Sequence, residues 1–271
     1  MGLVRHRRAR SRNPATAWLR DLATRRCLRI AARMQPANGG YEEAIPLTGF
    51  VAMALVAAGE GSSPIVARAI GFLLASRRPD GSWPIDTNLD TWVTVLAVNA
   101  LHAAARPIPS PPAIRAWLLR QQMADDHPLT FGGAGGWAWT DLPGGMPDAD
   151  DTAGALLALR RLGPPDAATR AAAARGLAWL LRLQNADGGI PTFCRGWGRL
   201  PFDRSCADIT AHAVRAFAEW LDDDLPHPLR RRAMAALPRA LRYIARSQAP
   251  DGSWIPLWFG NQFSATLANP V

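Results

Sequence analysis

Apolar positions recur along this chain at helical spacing, and the helical stretches are separated by a turn of nearly constant form. Each copy runs from a basic residue through an amphipathic segment to a turn of Asp or Asn with Gly, closed by an aromatic or apolar residue. Arg26 to Tyr41 ends MQPANGGY, Arg68 to Trp83 reads FLLASRRPDGSW, and Arg175 to Ile190 reads WLLRLQNADGGI. Arg239 to Trp254 reads YIARSQAPDGSW, and a looser copy starts near Ala116 and closes with GGAGGW at Trp137. A second apolar stretch follows each turn, as in Asp90 to Ala105, Asp151 to Leu162 and Asp208 to Leu221. Thr91 to Val98 is rich in β-branched residues, as a strand would be. Its continuation through Asn99 to Ala104 makes it too long for one and favours a buried helix.

Pro and Gly cluster between these stretches, at 107–112, 143–145 and 163–165, where they break periodic structure. No strand–turn–strand signal appears. The pattern predicts an all-α chain of repeated helix pairs. Such units cannot bury their apolar faces alone and must stack or close into a ring. The Trp that ends a turn can cover the end of the next helix and give its N–H to a free carbonyl, and the recurring Gln can act similarly. No shift in composition marks a boundary, so the reading is one domain over residues 25–271, preceded by a basic arm over residues 1–24 without fixed structure.

All 31 basic residues are Arg, and the net charge is +9. Solvated Arg on helix faces accounts for this. Attraction to anionic lipid is the sharper alternative, and nucleic acid has weak support. Cys27, Cys194 and Cys206 lie too far apart for a disulfide framework or a zinc pattern, which fits the reducing cytosol. No apolar leader core opens the sequence, and no stretch reaches the roughly 18 apolar residues of a spanning helix. Contact with a membrane would be on one face.

The candidate chemistry centres on Asp148-Ala149-Asp150-Asp151-Thr152. An Asp-rich helix start also follows from capping alone, because Asp accepts free N–H groups and suits the positive helix end. His212, taken by itself on an apolar helix, is an ordinary core histidine. Trp83 and Trp254 read as structural ends of their repeats. Asp222-Asp223-Asp224 reads as a solvated loop and lacks the spacing that binds a magnesium diphosphate. Asp203, Cys206 and His212 are poorly spaced for zinc.

Gln-x3-Gly-x-Trp repeats together with Pro147 to Ala153 resemble the squalene–hopene and oxidosqualene cyclases, over nearly the whole chain from Cys27. The Trp137-Ala138-Trp139 and Pro147–Ala153 stretches resemble that family's acid segment. Ser205 to His212 resembles its Glu-Asp-Val-Thr-Ala-His stretch, with Ala207 in place of Glu. Gly188 to Phe193 resembles a Gly-Gly-Trp-x-x-Tyr segment, with Ile190 and Phe193 substituted. Asp251 to Trp258 resembles a segment that supplies a pocket tryptophan. Leu89 stands where many members have Trp.

The resemblance implies an α/α toroid of the α6–α6 type, incomplete here, and a protonation-initiated triterpene cyclase, an isomerase acting on squalene in hopanoid synthesis. It implies Asp150 as the acid, flanked by Asp148 and Asp151 and supported by His212 and Asp208, with Trp139, Phe193 and Trp258 lining the cavity. No cofactor or metal is implied. The expected partners are squalene or a similar polyprenoid and the cytoplasmic side of a membrane, with no nucleic acid. The family's enzymes are about twice as long, with a second barrel and a Tyr-Gly-Thr segment beyond the point where this sequence stops. A truncated product, one part of a split enzyme or a homo-oligomer is therefore expected. The alternatives are a non-catalytic repeat protein that binds a lipid or a partner chain, and a zinc-dependent prenyltransferase-like subunit.

The chemistry explains these residue types. An ordinary Asp, with a pKa of about 3.9, is ionised at neutral pH, whereas protonating an alkene needs the neutral acid. Crowded carboxylates and burial both favour the protonated form. The helix start and an imidazolium then stabilise the carboxylate left after donation. Aromatic faces stabilise the resulting carbocation without trapping it, and exclusion of water prevents premature capture.

Overall fold

The computed structural model describes residues 11–126, 133–142, 145–194, 203–223, 225–255 and 257. Their regular secondary structure is almost entirely helical, as expected. The residues gather into two compact units, 1–89 with 142–145, and 90–141 with 146–271.

The first unit contains α1 (Pro14–Met34), a 3-10 turn (Tyr41–Glu43), α2 (Ile45–Ala57) and α3 (Pro64–Ala75). The expected unstructured arm through residue 24 is corrected here, since α1 starts at Pro14. Asn13 caps it by accepting from Ala15 N and Thr16 N, and Pro14 supplies a preset φ at the first helical position. The basic run Arg5 to Arg10 lies outside the described residues. Tyr41, Leu55, Ile65 and Val66 form this unit's core with Leu28, Met34 and Leu47.

The second unit contains α4 (Asp90–Ala103), α5 (Pro111–Gln121), α6 (Ala149–Arg161), α7 (Ala167–Leu183), α8 (Ala207–Leu221) and α9 (His227–Ser247). Helices α4, α6 and α8 pack side by side as an inner layer, and α7 and α9 back them from outside. A two-residue antiparallel ladder joins β1 (Ile190–Pro191) to β2 (Ser205–Cys206), pairing Ile190 with Cys206. It is too short to leave an alternating pattern in the sequence. The core is continuous from Val95 and Val98 on α4 through Leu156 and Leu159 to Phe217 and Trp220 on α8.

The repeat turn is a hydrogen-bonded lock between successive outer helices. Gln122 Nε2 donates to Gly135 O in its own turn and to Ala172 O on α7, both at 2.8 Å. Its Oε1 accepts from Arg175 Nη2 at 2.6 Å. Gln35 makes the same set with Gly39 O, Ile65 O and Arg68 Nε, and Gln184 reaches Gly188 O and Ala236 O. Gly135 has φ 115°, and a Cβ there would stand 2.8 Å from Arg175 O, so only glycine lets the turn approach the next helix this closely.

A buried Thr on the inner helix completes each lock. Thr48, Thr152 and Thr210 accept the turn N–H groups of Tyr41, Trp137 and Ile190, each at 2.9 Å. The indoles act on the preceding helix instead of the next one. Trp83, Trp137 and Trp254 give Nε1–H to Leu73 O, Leu118 O and Ile244 O, carbonyls of a last helical turn that lack a backbone N–H partner within the helix. The copy at 68–83 carries Arg77 at the Gln position, and its guanidinium lies 5.9 Å over Trp83.

Asp222–Asp224 does not behave as a solvated loop throughout. Asp223 is nearly buried between Arg160, at 2.7 Å, and Arg170, at 3.0 Å, and so ties the end of α8 to α6 and α7.

Each intramolecular hydrogen bond is worth about 1 kcal/mol net, and more where a buried group is left unpaired. Gln122→Ala should therefore cost the second unit roughly 2–4 kcal/mol in urea denaturation. Gln248→Ala, which removes one bond to Gly252 O at an exposed turn, should cost less than about 1 kcal/mol.

Candidate active site

The first turn of α6 is held from both sides. Asp148 N donates to Trp137 O at 3.1 Å, and Ala149 N donates to Thr192 O at 3.2 Å. Asp148 thus bridges to Trp137 in its own repeat and to Phe193 in the next. Its side chain caps the helix by accepting from Asp151 N at 2.7 Å. The three carboxyl groups then diverge as helical spacing requires. Asp148 and Asp151 are buried, 3% and 4% exposed, while Asp150 opens into a cavity.

His212 on α8 meets Asp150 across the inner layer, Nδ1 to Oδ1 at 2.7 Å. Asp208 lies one turn earlier on α8, where Ile209 N and the Cys206 thiol donate to it. Asp208 therefore acts on His212 through its charge. The hydrogen bond to Asp150 raises the His212 pKa, burial opposes this, and the charges of Asp150 and Asp208 raise it further while Arg215 lowers it. Burial, followed by Asp151 and Asp150, holds Asp148 well above the usual carboxylate range. Burial lifts Asp151 to about 7, with the Asp148 hydrogen bond opposing and Asp150 adding to the rise. Burial and Asp208 push the Cys206 thiol up to about 12, so it stays protonated.

The cavity, about 140 Å³, lies between α4, α6 and α8. Its apolar wall is Trp92, Val95, Leu96 and Leu157, and its polar groups are Asn99, Asp150, Asp151, His212 and Arg215. Gly154 shapes it, since a Cβ there would be 2.6 Å from Val95 Cγ1. Asn99 is fixed by Arg161 Nη1 at 2.7 Å.

The aromatic residues expected around the acid are placed differently. Trp139 O accepts from Trp92 N at 3.1 Å, and Phe193 pairs with Asp148 along the backbone, so both flank the acid segment. Trp258 lies outside the described residues. Among the described residues, the aromatic face on the cavity is Trp92. Trp92, Asn99 and Arg215 were not identified from the sequence, because they converge from separate helices and belong to no contiguous motif. Asp203, Cys206 and His212 do not gather as a metal-ligating group among the described residues.

The family of the squalene–hopene cyclase C-terminal domain matches residues 88–268, which include every element of this cavity. The chain belongs to the squalene–hopene cyclase family. A squalene–hopene cyclase from Alicyclobacillus acidocaldarius is 30% identical over 223 residues, 69% of this chain and 32% of that protein. A drimenyl diphosphate synthase from Streptantibioticus cattleyicolor is 33% identical over 215 residues, 74% of this chain and 35% of that protein. The chain spans about a third of the length of these two relatives. Among solved structures, the apo form of the type II terpene cyclase MstE from Scytonema aligns with 94% of this chain and 68% of its own, at 16% identity and a TM-score of 0.39.

A carboxyl whose folded pKa is raised stabilises the fold below its unfolded pKa, and that contribution is lost as pH rises through the folded value. The buried Asp148 and Asp151 carboxyls thus cost this unit stability at neutral and alkaline pH. Asn also caps helices well, so Asp148→Asn should melt higher than the wild type at pH 8 and close to it at pH 4, as followed by circular dichroism.

Proposed function

We propose that this chain initiates cyclisation of a polyprenoid by protonating a terminal alkene, with Asp150 as the acid. The observation that carries this reading is the 2.7 Å contact between His212 Nδ1 and Asp150 Oδ1 on the wall of an apolar cavity. With the imidazolium donating to one carboxyl oxygen, the other oxygen carries the proton to be transferred. That proton passes to an alkene carbon, the π electrons form the new C–H bond, and the adjacent carbon becomes cationic. The carboxylate left behind keeps its hydrogen bond from His212 and the field of the α6 N-terminus. The next alkene attacks the cation, and a final proton loss closes the sequence.

Trp92 offers a π face to the developing cation, worth about 2 kcal/mol when desolvated. The cavity is close to the ~150 Å³ that accommodates one benzene molecule. It therefore suits the terminal isoprene unit, with the rest of the chain extending beyond it.

Squalene, converted toward a hopanoid at a membrane surface, is the first substrate reading, supported by the resemblance to a squalene–hopene cyclase. The exposed Trp18, Leu19 and Leu22 on α1, with Arg25, Arg26 and Arg29 exposed on the same helix, suit an interfacial role on anionic lipid. No helix among the described residues is long and apolar enough to cross a membrane.

Arg215 favours a second reading. It lines the same cavity and has no hydrogen-bond or ion-pair partner among the described residues. A bare cation beside a developing carbocation is unfavourable unless the substrate supplies a negative charge, as an isoprenoid diphosphate would. A relative named drimenyl diphosphate synthase fits that class.

Purified chain incubated separately with squalene in detergent and with farnesyl diphosphate should give a cyclic product from one of them. Asp150→Asn should lower that rate by roughly 10²–10⁴. A folded wild-type chain that cyclises neither substrate, or an Asp150→Asn variant with full activity, would refute the proposal.

A further inference from the structure

Most of the chain's positive charge lies away from the cavity, whose only arginine is Arg215. On the outer helices of the second unit that charge is used in two different ways. Helices α7 and α9 hold equivalent places, since each receives the Gln of the preceding turn, at Ala172 O and at Ala236 O. The three Arg of α7 are all engaged: Arg170 with Asp223, Arg175 with Gln122 Oε1 and Arg182 with Ala134 O. Among the described residues α7 exposes no large apolar side chain.

Helix α9 differs on both counts. It carries six Arg and no Asp or Glu. Arg239 and Arg246 donate to Asn185 O and Asp187 O in the preceding turn. Arg230, Arg231, Arg232 and Arg242 are exposed and have no hydrogen-bond or ion-pair partner among the described residues. Met234 and Leu241 are also exposed, at 57% and 53%. Seven residues apart, they stand two turns along one face, and the exposed Pro238 and Ala245 continue the same stripe. Arg230 and Arg231 precede Met234 by one turn, and Arg242 follows Pro238 by one turn.

An apolar stripe bordered by unpaired arginines, on a helix without acids, suits a helix lying in the plane of a lipid interface. The depth is limited as well. Pro238 has no N–H to give Met234 O, four residues earlier. A carbonyl without its helical donor belongs among headgroups and water, because hydrocarbon offers it no partner.

We propose that α9 is a docking surface for an anionic lipid bilayer, with Met234 and Leu241 entering the headgroup boundary and Arg230, Arg231 and Arg242 meeting lipid phosphates. This rests on the reading of the chain as one that works at a membrane surface, and it assigns that contact to a face of the second unit, apart from α1. It does not depend on the chemistry of Asp150. Charge decides the occupant. Four unpaired cations on one helix repel a second copy of that helix. A neutral protein surface could cover Met234 and Leu241 but would leave the arginines without counter-charge, whereas an anionic bilayer satisfies both.

Sedimentation of the purified intact chain with vesicles tests this. The chain should bind vesicles of phosphatidylcholine mixed equally with phosphatidylglycerol, should not bind phosphatidylcholine alone, and should bind more weakly as salt is added. One Arg at an anionic surface strengthens binding roughly fivefold, so the triple change Arg230→Gln, Arg231→Gln and Arg242→Gln should weaken it roughly a hundredfold. The same three changes to Lys should keep wild-type binding, since the charge is retained. Met234→Ser with Leu241→Ser should weaken binding roughly tenfold at low salt. Unchanged binding by the Gln and Ser variants would overturn the α9 surface, and loss of binding by Trp18→Ser with Leu22→Ser in the same assay would leave the membrane reading standing on α1. A wild-type chain that ignores anionic vesicles would overturn both. If the Gln variant loses duplex DNA and vesicles alike while the Ser variant binds vesicles fully, α9 is a general polyanion site and the lipid interface is rejected.

Discussion

The arrangement of the site depends on how the first turn of α6 is anchored. Helix starts leave N–H groups without partners, and the Asp148 side chain satisfies only that of Asp151. Here the chain entering α6 is hydrogen-bonded to Trp137 on one side and Thr192 on the other. The two flanking turns are themselves locked, by Thr152 and Gln122 in one repeat and by Thr210 and Gln184 in the next. The repeat therefore sets the position of the acid as well as packing the helices.

One Asp can be both a cap and part of the chemistry. Asp148 caps α6, and burial, with Asp151 and Asp150 beside it, raises the cost of ionising it. Asp151 gives its backbone N–H to the cap while its carboxyl lies on the cavity wall. The division of roles follows burial. The two buried carboxyls bind protons tightly, and the more open Asp150 is held by the one histidine that reaches it.

Much of this was legible in the sequence wherever the physics is local. The turn needs Gly at positive φ and Gln at a constant offset, and both recur visibly. The start of α1 is equally legible, as Asn13-Pro14, a capping side chain followed by a proline with preset φ. The pairing of Asp150 with His212, 62 residues apart, came only through resemblance. Trp92, Asn99 and Arg215 could not be read at all, because a cavity wall made by three helices depends on their packing. Asp223 was misjudged for the same reason. Its neighbours in sequence are acidic, and Asp222 is exposed, while its partners in space are Arg160 and Arg170.

Placed around a cation, these groups leave a definite electrostatic problem. In the proposed protonation, positive charge arises within reach of Asp150, and the carboxylate just formed is its natural counterion. His212 moderates that attraction by holding the carboxylate, which keeps it from collapsing onto the carbocation as an ester. Trp92 draws the charge toward an apolar wall, where no lone pair waits. Arg215 repels it from the opposite direction and lowers the proton affinity of His212. The field thus has a direction, away from Arg215 on α8 and toward Trp92, Val95 and Leu96 on α4. A folding polyprenoid that followed it would carry its positive charge away from Asp150 and His212 as successive rings close.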